Sequence, residues 1–325
     1  MSRYLITGAA GFIASRVTEM LIGRGDSVYG VDNMNDAYDV RMKEYRLRRL
    51  QTLTGFTFQK MDISDKGQAE TLGRRVGQVD AVINLAARAG VRSSELDPWL
   101  YVDTNVTGTL NMLELCRQQG VPKFLLASSS SVYHPSAPMP YHENADTEHP
   151  LQPYAATKKA AEQLCHVYHF LHGVDVSVVR YFTVYGPAGR PESIMFRCAQ
   201  WIAEGRPVRL NGDGTQTRGF TYIDDIARGT LLALQPLGFE IFNLGGHEMI
   251  SLNDLIALLE GRLGKRALIE HYPMHKADVM GNLADVSHAR AVLGWEPAVS
   301  LKEGVSRLVE WYRTEREWAS QVRTD

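Results

Sequence analysis

Six short apolar segments alternate with longer amphipathic segments over the first 181 residues of the chain. The apolar segments, at 4–7, 27–32, 56–61, 81–85, 124–128 and 176–181, have the length of buried strands. The segments 13–24, 37–53, 99–119 and 154–172 carry apolar residues at helical spacing. Right-handed crossovers between parallel strands place helices on both faces of a sheet. The alternation therefore predicts an α/β fold built on a doubly wound parallel sheet.

The chain changes character after about residue 181, where turns rich in Gly and Pro (GPAGRPE, NGDGTQTRG and NLGGHE) separate shorter elements. We expect a first domain at 1–181 and a smaller α/β lobe at 182–325, with some return of the chain to the first domain after about residue 220. The length of 325 residues allows this division. No flexible linker separates the two parts, so we expect the functional cleft between them.

Charge and cysteine content exclude several classes of protein. The chain has 35 Lys and Arg against 37 Asp and Glu, a net charge of -2, so we expect no nucleic-acid partner. No apolar run approaches the roughly 20 residues that span a bilayer, and we expect no membrane partner. The three cysteines are widely spaced and form no CxxC pair. Reduced thiols and a cytoplasmic location are expected.

A Gly-rich turn follows the first predicted strand and opens a helix. Gly8 and Gly11 permit a tight turn, and the N–H groups of Phe12 and Ile13 at the helix N-terminus suit a pyrophosphate. Such a turn also serves ordinary strand-to-helix corners. The second strand, however, ends in Asp32, whose carboxylate suits a ribose 2'-hydroxyl and repels a 2'-phosphate. The order of elements predicts NAD binding rather than NADP binding, with a capping role for Asp32 as the alternative.

A serine-rich strand end, SSSSVY at 128–133, precedes a helix that carries Tyr154 and Lys158. A Tyr and a Lys four residues apart share one helix face. A free Tyr has a pKa of about 10, and a value near 7 requires roughly 4 kcal/mol of charge stabilisation. Lys158 and an oxidised nicotinamide are cations that could supply it. The YxxxK spacing alone is common, but together with the dinucleotide turn it predicts a catalytic Tyr.

Seven segments carry a resemblance to a known family: TGAAGFIAS, GVDNMNDAYD, NLAARAGVRSS, ASSSSVY, YAATKKAAE, RYFTVYGPAGRPE and RGFTYIDD. The chain resembles the extended short-chain dehydrogenase/reductase family and, within it, nucleotide-sugar epimerases that act on UDP-hexuronates. The likeness is nearly continuous from residue 3 to about 225 and looser to about 312. It implies a Rossmann-type lobe that holds NAD permanently and a C-terminal lobe that holds a UDP-sugar. It also implies that Tyr154 is the base, Lys158 its electrostatic partner and Ser129 the hydroxyl that bonds the sugar O4.

The predicted cofactor site combines these motifs with the other strand ends. Asp62 follows the third strand, where it can meet an adenine edge or cap the next helix. The complete set comprises Gly8, Gly11, Phe12, Ile13, Asp32, Asn33, Asp62, Ile63, Leu85, Ala86, Ala87, Asn105, Tyr154, Lys158 and Tyr181.

Four positions depart from the family pattern: Ala14 in the Gly-rich turn, His134 after VY, Gly219 in place of Asp and Asn282 where Thr is usual. We expect them to affect loop geometry near the sugar and the pyrophosphate rather than the redox centre.

Several sugar-nucleotide reactions begin with oxidation at C4, and the residues between Ser129 and Tyr133 distinguish them. Dehydratases resemble DEVY here and decarboxylating synthases SEVY, whereas 3,5-epimerases need a Cys. This chain has none of these groups at these positions, which leaves simple C4 epimerisation. The resemblance implies that the reaction converts UDP-glucuronate to UDP-galacturonate. The alternatives are a 4-epimerase of neutral UDP-hexoses and a non-catalytic NAD-binding module.

A 4-keto hexuronate loses CO2 easily, so an epimerase must restrain the carboxylate. Hydroxyl and guanidinium groups are suitable donors, and the candidates are Ser130, Ser131, Thr183, Arg92 and Arg190. The alternative for the two serines is a hydrogen bond to the local backbone. The alternatives for either Arg are a solvated surface position and a contact with phosphate. The resemblance assigns Arg218 to the UDP phosphates, and Asp278 is also included in the substrate site.

The helical segments 99–119 and 154–172 offer apolar stripes for a homodimer: Ala156, Ala160, Leu164, Val167 and Leu171 on one, and Leu110, Leu113 and Leu115 on the other. Burial against the sheet competes for the same residues, but the family resemblance favours a homodimer. His166, His169 and His172 lack a neighbouring carboxylate or thiol, so no metal site is expected.

Overall fold

The computed structural model describes residues 1–274 and 280–324. Its strands are β1 (Arg3–Thr7), β2 (Ser27–Asp32), β3 (Phe56–Lys60), β4 (Ala81–Asn84), β5 (Lys123–Ser129), β6 (Asp175–Tyr181), β7 (Thr183–Tyr185), β8 (Pro207–Asn211), β9 (Thr217–Tyr222), β10 (Phe239–Leu244), β11 (Met249–Ser251) and β12 (Leu268–Tyr272). Its helices are α1 (Phe12–Gly23), α2 (Arg41–Gln51), α3 (Lys66–Val76), α4 (Ser93–Leu96), α5 (Pro98–Tyr101), α6 (Gly108–Gln119), α7 (Pro153–His172), α8 (Ile194–Glu204), α9 (Ile223–Leu232), α10 (Leu252–Leu263), α11 (Ser287–Leu293), α12 (Leu301–Thr314) and α13 (Arg316–Ala319).

Within the described residues, seven parallel strands form the central sheet in the order β10-β6-β5-β4-β1-β2-β3. Apolar side chains of α3, α6 and α7 cover one face, and those of α1, α9 and α11 cover the other. The predicted doubly wound α/β fold is therefore confirmed. Strand order reverses between β1 and β4, and a reversal of this kind opens a crevice at the carboxyl ends of the strands.

Two predicted helices differ from the observed ones in where they begin or how they are divided. The segment predicted as a helix over 37–53 becomes helical only at Arg41, since Asn35 and Asp39 accept hydrogen bonds from the backbone amides two residues on. The segment predicted over 99–119 is divided into α5, a π-helical stretch at Val102–Thr107, and α6.

The strand β10 joins the central sheet from the second half of the chain. It pairs in parallel with β6, from Phe239 opposite Val176 to Leu244 opposite Tyr181. The helices α9 and α11 pack beside it on the same sheet. The chain thus returns to the first layer after the smaller lobe has begun.

The smaller lobe holds a sheet in the order β11-β9-β7 and the parallel pair β12-β8. Its core lies among α8, α10 and α12, which bury Trp201, Leu255 and Leu308. No helix in the described part of the chain combines the length and apolarity needed to cross a membrane.

Candidate active site

A cleft with a volume of about 420 Å³ opens at the carboxyl ends of the central strands. Of the predicted residues it is lined by Gly8, Gly11, Phe12, Ile13, Asp32, Asn33, Asp62, Ile63, Leu85, Ala86, Ala87, Ser129, Ser130, Ser131, Tyr154, Lys158, Tyr181, Thr183 and Arg190. Among the described residues, Asn105, Arg92 and Arg218 lie outside this lining, and Asp278 lies outside the described residues.

The turn after β1 requires glycine at Gly8. Its φ is +67°, and a Cβ atom there would lie 2.8 Å from both the Cα and the N of Ala86. The helix α1 then starts at Phe12 after Gly11, and no side chain of the described residues caps it. Its first N–H groups therefore remain available for a ligand, and an N-terminus of this kind suits a pyrophosphate. These residues fit a dinucleotide, the group that the sequence predicts here.

Asp32 is buried at the end of β2 and is surrounded by donors. One oxygen accepts from the Ala10 amide at 3.2 Å, and the other accepts from the Met34 amide at 2.8 Å and from Lys43 Nζ at 3.3 Å. Burial lowers the pKa of Lys43, whereas the charge of Asp32 raises it, and the net change is downward. No motif in the sequence connects Lys43 to Asp32, so this contact was not predicted.

Asp62 lines the cleft and does not cap α3. Its oxygens accept from the Ser64 amide at 2.9 Å and from Asn33 Nδ2 at 2.7 Å. Burial raises the pKa of Asp62, but these hydrogen bonds outweigh it and leave the pKa below its ordinary value. The cap of α3 is Asp65, which accepts from the Gln68 amide at 3.0 Å.

Asn105 supports the cleft from behind. Its side-chain amide bonds the backbone N and O of Arg88 and donates to Thr157 Oγ1 at 3.0 Å. Asn105 therefore ties the loop after β4 to α7, the helix that carries Tyr154.

Tyr154 lies in the first turn of α7, where burial raises the pKa of its phenol above the ordinary value. A hydrogen bond from Ser129 and the charge of Arg190 lower this pKa but do not outweigh burial. The ring also packs edge to face against Tyr101, with centroids 6.2 Å apart. Without a further positive charge in the cleft, the phenol is protonated at neutral pH.

Lys158, one turn further along α7, lies with its ammonium against the backbone rather than the phenol. Its Nζ donates to the Ala127 carbonyl at 2.8 Å, and burial lowers its pKa to about 8 although Glu162 opposes the change. The charge of Arg190 lowers the pKa of Tyr154. The sequence predicted that Lys158 would lower this pKa.

The serine-rich strand end presents ordered hydroxyl groups. Ser129 Oγ accepts from the Ser131 amide at 3.1 Å, which leaves its hydrogen for Tyr154. Ser130 Oγ accepts from Asn282 Nδ2 at 3.1 Å. Both serines thus use an acceptor position on the protein. Ser129 donates its one hydrogen to Tyr154, whereas the hydrogen of Ser130 remains for the cleft.

A buried charge network lies directly behind this strand end. Glu162 on α7 accepts from Ser128 Oγ at 2.5 Å and from Nε and Nη2 of Arg180, at 2.9 and 2.7 Å. Arg180 also donates to the hydroxyl of Tyr133 at 2.9 Å. The network fixes β5 and β6 to the helix that carries Tyr154.

Two predicted arginines make contacts away from the cleft. With the Asn211 amide oriented to satisfy both groups, its oxygen accepts from Arg92 Nη1 at 2.9 Å, which joins the α4 region to β8 of the smaller lobe. Arg218 Nη1 donates to the Thr217 carbonyl at 2.7 Å.

Several further residues line the cleft although the sequence predicted no role for them in the site: Ala14, Asn35, Tyr38, Lys43, Glu192, Ser193 and Asn282. Ala14 and Asn282 carried a signal, as departures from the family pattern. Asn35 and Tyr38 lie within the quoted segment GVDNMNDAYD, and Glu192 lies within RYFTVYGPAGRPE, but no role was assigned to them there. Lys43 and Ser193 lie outside the quoted segments. Within 1–274 and 280–324, no group of three or more His, Cys, Asp or Glu side chains is placed to hold a metal ion.

Comparisons with known proteins agree with this geometry. The sequence model of the NAD dependent epimerase/dehydratase family matches residues 4–245. A UDP-glucuronate 4-epimerase of Thermodesulfobacterium geofontis is 52% identical over 324 residues, which is 99% of this chain and 100% of that protein.

Solved structures are similar over nearly the whole chain. The UDP-glucuronic acid 4-epimerase of Bacillus cereus, in complex with UDP-glucuronic acid and NAD, has a TM-score of 0.90 at 35% identity and covers 96% of this chain and 99% of its own. The UDP-glucose 4-epimerase of Thermotoga maritima, with UDP-glucose, has a TM-score of 0.88 at 31% identity and covers 97% of this chain and 99% of its own. The match over most of the chain, together with the cleft and its Tyr and Lys, establishes that the chain belongs to the NAD dependent epimerase/dehydratase family.

Proposed function

We propose that this protein is an NAD-dependent UDP-glucuronate 4-epimerase, which converts UDP-glucuronate to UDP-galacturonate through a 4-keto sugar without loss of CO2. One observation carries the proposal: Tyr154 and Ser129 share a cleft with the dinucleotide turn and with the donor groups of Ser130, Ser131, Thr183 and Arg190. The 52% identity to a UDP-glucuronate 4-epimerase supports the choice of substrate.

The N-terminus of α1 and Asp32 would hold the cofactor, with Gly8 allowing its close approach. Bound NAD supplies the hydride acceptor for C4 of the sugar and then the hydride donor to the opposite face. The chain's own residues move the proton. Tyr154 as phenolate takes the proton of the O4 hydroxyl and later returns it, while Ser129 holds O4 by a hydrogen bond.

Tyr154 needs more positive charge than the protein alone provides. Since burial holds its pKa above the ordinary value, ionisation near pH 7 requires a downward shift of more than about 3 units, or about 4 kcal/mol. Arg190 contributes part of this stabilisation. We assign Lys158 the remaining role on the protein side, as the ammonium beside the nicotinamide ribose.

The hydroxyl-rich end of the cleft explains why CO2 would be retained. A 4-keto hexuronate loses CO2 when its C5–carboxyl bond aligns with the π system of the carbonyl. Ser130, Ser131 and Thr183 can donate to the carboxylate, and the Arg190 fork suits it as well. Held near the carbonyl plane, the C5–carboxyl bond cannot feed electrons into the carbonyl.

We assign the UDP group to the smaller lobe at 182–325, facing the NAD-binding domain at 1–181 with its later return of chain. Arg218 and Asp278 are proposed for this group. Arg92 is proposed as a contact at the junction of the two parts, because its guanidinium faces Asn211 of β8.

We also propose a homodimer through the outer faces of the π-helical stretch, α6 and α7. Trp99 and Leu171 are 76% and 63% exposed. Leu110 and Leu164 are half-buried and pack against the core, so part of each side chain remains accessible. Leu113 and Leu115 cannot take part, because both are buried against the sheet. Leu164→Glu should shift the sedimentation of the protein to that of a monomer, whereas Val292→Asp on α11 should not. A wild-type monomer would exclude the homodimer.

The three cysteines are buried and unpaired, which suits a reducing compartment, and we propose a cytoplasmic location.

The deciding experiment is incubation of the purified protein with UDP-glucuronate and, separately, with UDP-glucose, followed by NMR of the products. We expect UDP-galacturonate with at most a trace of UDP-pentose. Conversion of UDP-glucose alone would favour a neutral-hexose 4-epimerase, the activity named for the similar Thermotoga maritima structure. No conversion of either sugar would favour a non-catalytic NAD-binding module.

A further inference from the structure

Asn282 forms a side-chain bridge between the smaller lobe's side of the cleft and the serine-rich strand end. Its Nδ2 donates to Ser130 Oγ at 3.1 Å, across 152 residues of sequence. Its Oδ1 is buried and has no hydrogen-bond partner among the described residues. A buried amide oxygen without a hydrogen-bond partner lowers the stability of the folded protein, so Asn282 is not explained by its own hydrogen bonding.

The backbone around Asn282 is fixed by its neighbours. The Asn282 carbonyl accepts from the Gly219 amide at 2.9 Å, and the Leu283 carbonyl accepts from the Tyr141 amide at 2.8 Å. A Cβ atom at Gly219 would lie 3.4 Å from the Asn282 carbonyl oxygen and 3.2 Å from the Gly246 carbonyl oxygen. Two of the four departures from the family pattern, Gly219 and Asn282, therefore lie in direct contact.

The direction of the Asn282 bond decides what Ser130 can offer. A serine hydroxyl has one hydrogen and two acceptor positions. Because Ser130 Oγ accepts from Asn282, its hydrogen is free to be donated into the cleft. A donor is what an anionic group requires, whereas a neutral hydroxymethyl group can be met by a donor or an acceptor.

We propose that Asn282 is a specificity-determining positioning residue, which orients the Ser130 hydroxyl as a donor toward the carboxylate of a hexuronate. The proposal rests on the proposed function, since it names the group of the substrate that Ser130 meets. Asn282 acts through Ser130 and does not itself need to touch the substrate.

The test measures dissociation constants of UDP-glucuronate and UDP-glucose on the NAD-loaded Tyr154→Phe protein, in which turnover does not interfere. Adding Asn282→Ala should raise the dissociation constant of UDP-glucuronate about threefold to tenfold, the range expected for one hydrogen bond. The dissociation constant of UDP-glucose should change less than about twofold. Asn282→Asp is nearly isosteric, but its carboxylate would accept the hydrogen of Ser130. The dissociation constant of UDP-glucuronate should therefore rise by more than about tenfold. In otherwise unmodified enzyme, both substitutions should raise the UDP-pentose fraction.

Two comparisons separate positioning from structural damage. In a Ser130→Ala background, Asn282→Ala should change the ratio of the two dissociation constants no further. Asn253→Ala removes an exposed amide of the smaller lobe that donates to the Asp213 carbonyl at 3.0 Å, and it should leave the ratio unchanged. Equal weakening of both sugars by Asn282→Ala, or full additivity with Ser130→Ala, would overturn the proposal. Failure of the proposed function is seen separately, in wild-type protein that does not bind or convert UDP-glucuronate.

Discussion

Arg180 is buried behind the serine-rich strand end, and its replacement by Met tests whether the charge network there is truly desolvated. The Arg180 and Glu162 side chains are each only 2% exposed. Arg180 makes four hydrogen bonds: two to Glu162, one to Tyr133 and one to the Glu143 carbonyl. Removing one partner of a buried ion pair costs about 3–5 kcal/mol because the other charge stays buried. Lys159, 3.8 Å from Glu162, compensates part of the loss and favours the lower end.

The expected loss of unfolding free energy can be measured as a fall in the melting temperature, Tm. Unfolding entropy of about 2.1 cal/mol/K per residue gives roughly 0.7 kcal/mol/K for 325 residues. Arg180→Met should therefore lower the Tm of the NAD-loaded protein by about 4–7 °C in differential scanning calorimetry. Turnover should also fall, since β6 and α7 lose the Arg180–Glu162 contact that joins them.

A matched control and a double variant test whether the stability is lost because a charge stays buried without its partner. Arg266→Met breaks an ion pair with Glu260 at 3.0 Å, compared with 2.7 Å between Arg180 and Glu162. Because the Arg266 side chain is 91% exposed, this substitution should lower the Tm by less than about 1.5 °C. Glu162→Leu combined with Arg180→Met removes both charges and should recover much of the stability. If Arg180→Met is no worse than Arg266→Met, or the double variant is less stable than the single one, the buried-charge argument is wrong.

Four further predictions address the cleft and the segment beside it. Tyr154→Phe should retain NAD and lose at least about 100-fold in turnover, and near-normal turnover would remove Tyr154 from the mechanism. Asp32→Ala should fold but lose co-purified NAD, as measured by chromatography of the heat-denatured supernatant; finding mainly NADP in the wild type would contradict the assignment. Thr183→Val should slow epimerisation and raise the UDP-pentose share about tenfold or more, because one hydrogen bond to the carboxylate is lost; an unchanged ratio would exclude Thr183 from the carboxylate site. Hydrogen bonds from Arg41 lower the pKa of Asp39 from 3.8 to about 2, so its stabilisation is present above pH 3.8 and is lost as the pH falls through 2. Asp39→Asn should therefore flatten the fall of Tm between pH 4 and pH 2, and an unchanged acid limb would count against this account.

Much of the fold and part of the site follow from local sequence patterns. The alternation of strands and helices predicted the doubly wound sheet, and the bounds 27–32 for β2 agree with the structure. The glycine at Gly8 and the Tyr154–Lys158 spacing were also readable, because a tight turn and a helix face depend only on residues near one another in the chain.

Other features depend on contacts between distant segments, and only the tertiary structure decided them. The strand β10 joins the sheet because its register matches β6, more than 60 residues earlier. Lys43 reaches Asp32 only because α2 packs against α1 and β3. Asn282 reaches Ser130 only because the chain near residue 282 lies against the serine-rich strand end. Burial of the phenol among residues from other segments raises the pKa of Tyr154. The Lys158 ammonium donates to the Ala127 carbonyl, which lies on β5 and not on α7. Periodicity and spacing determined which groups this chain can bring to the cleft; burial and hydrogen-bond direction, which need three dimensions, determined their charge and which of them act as donors.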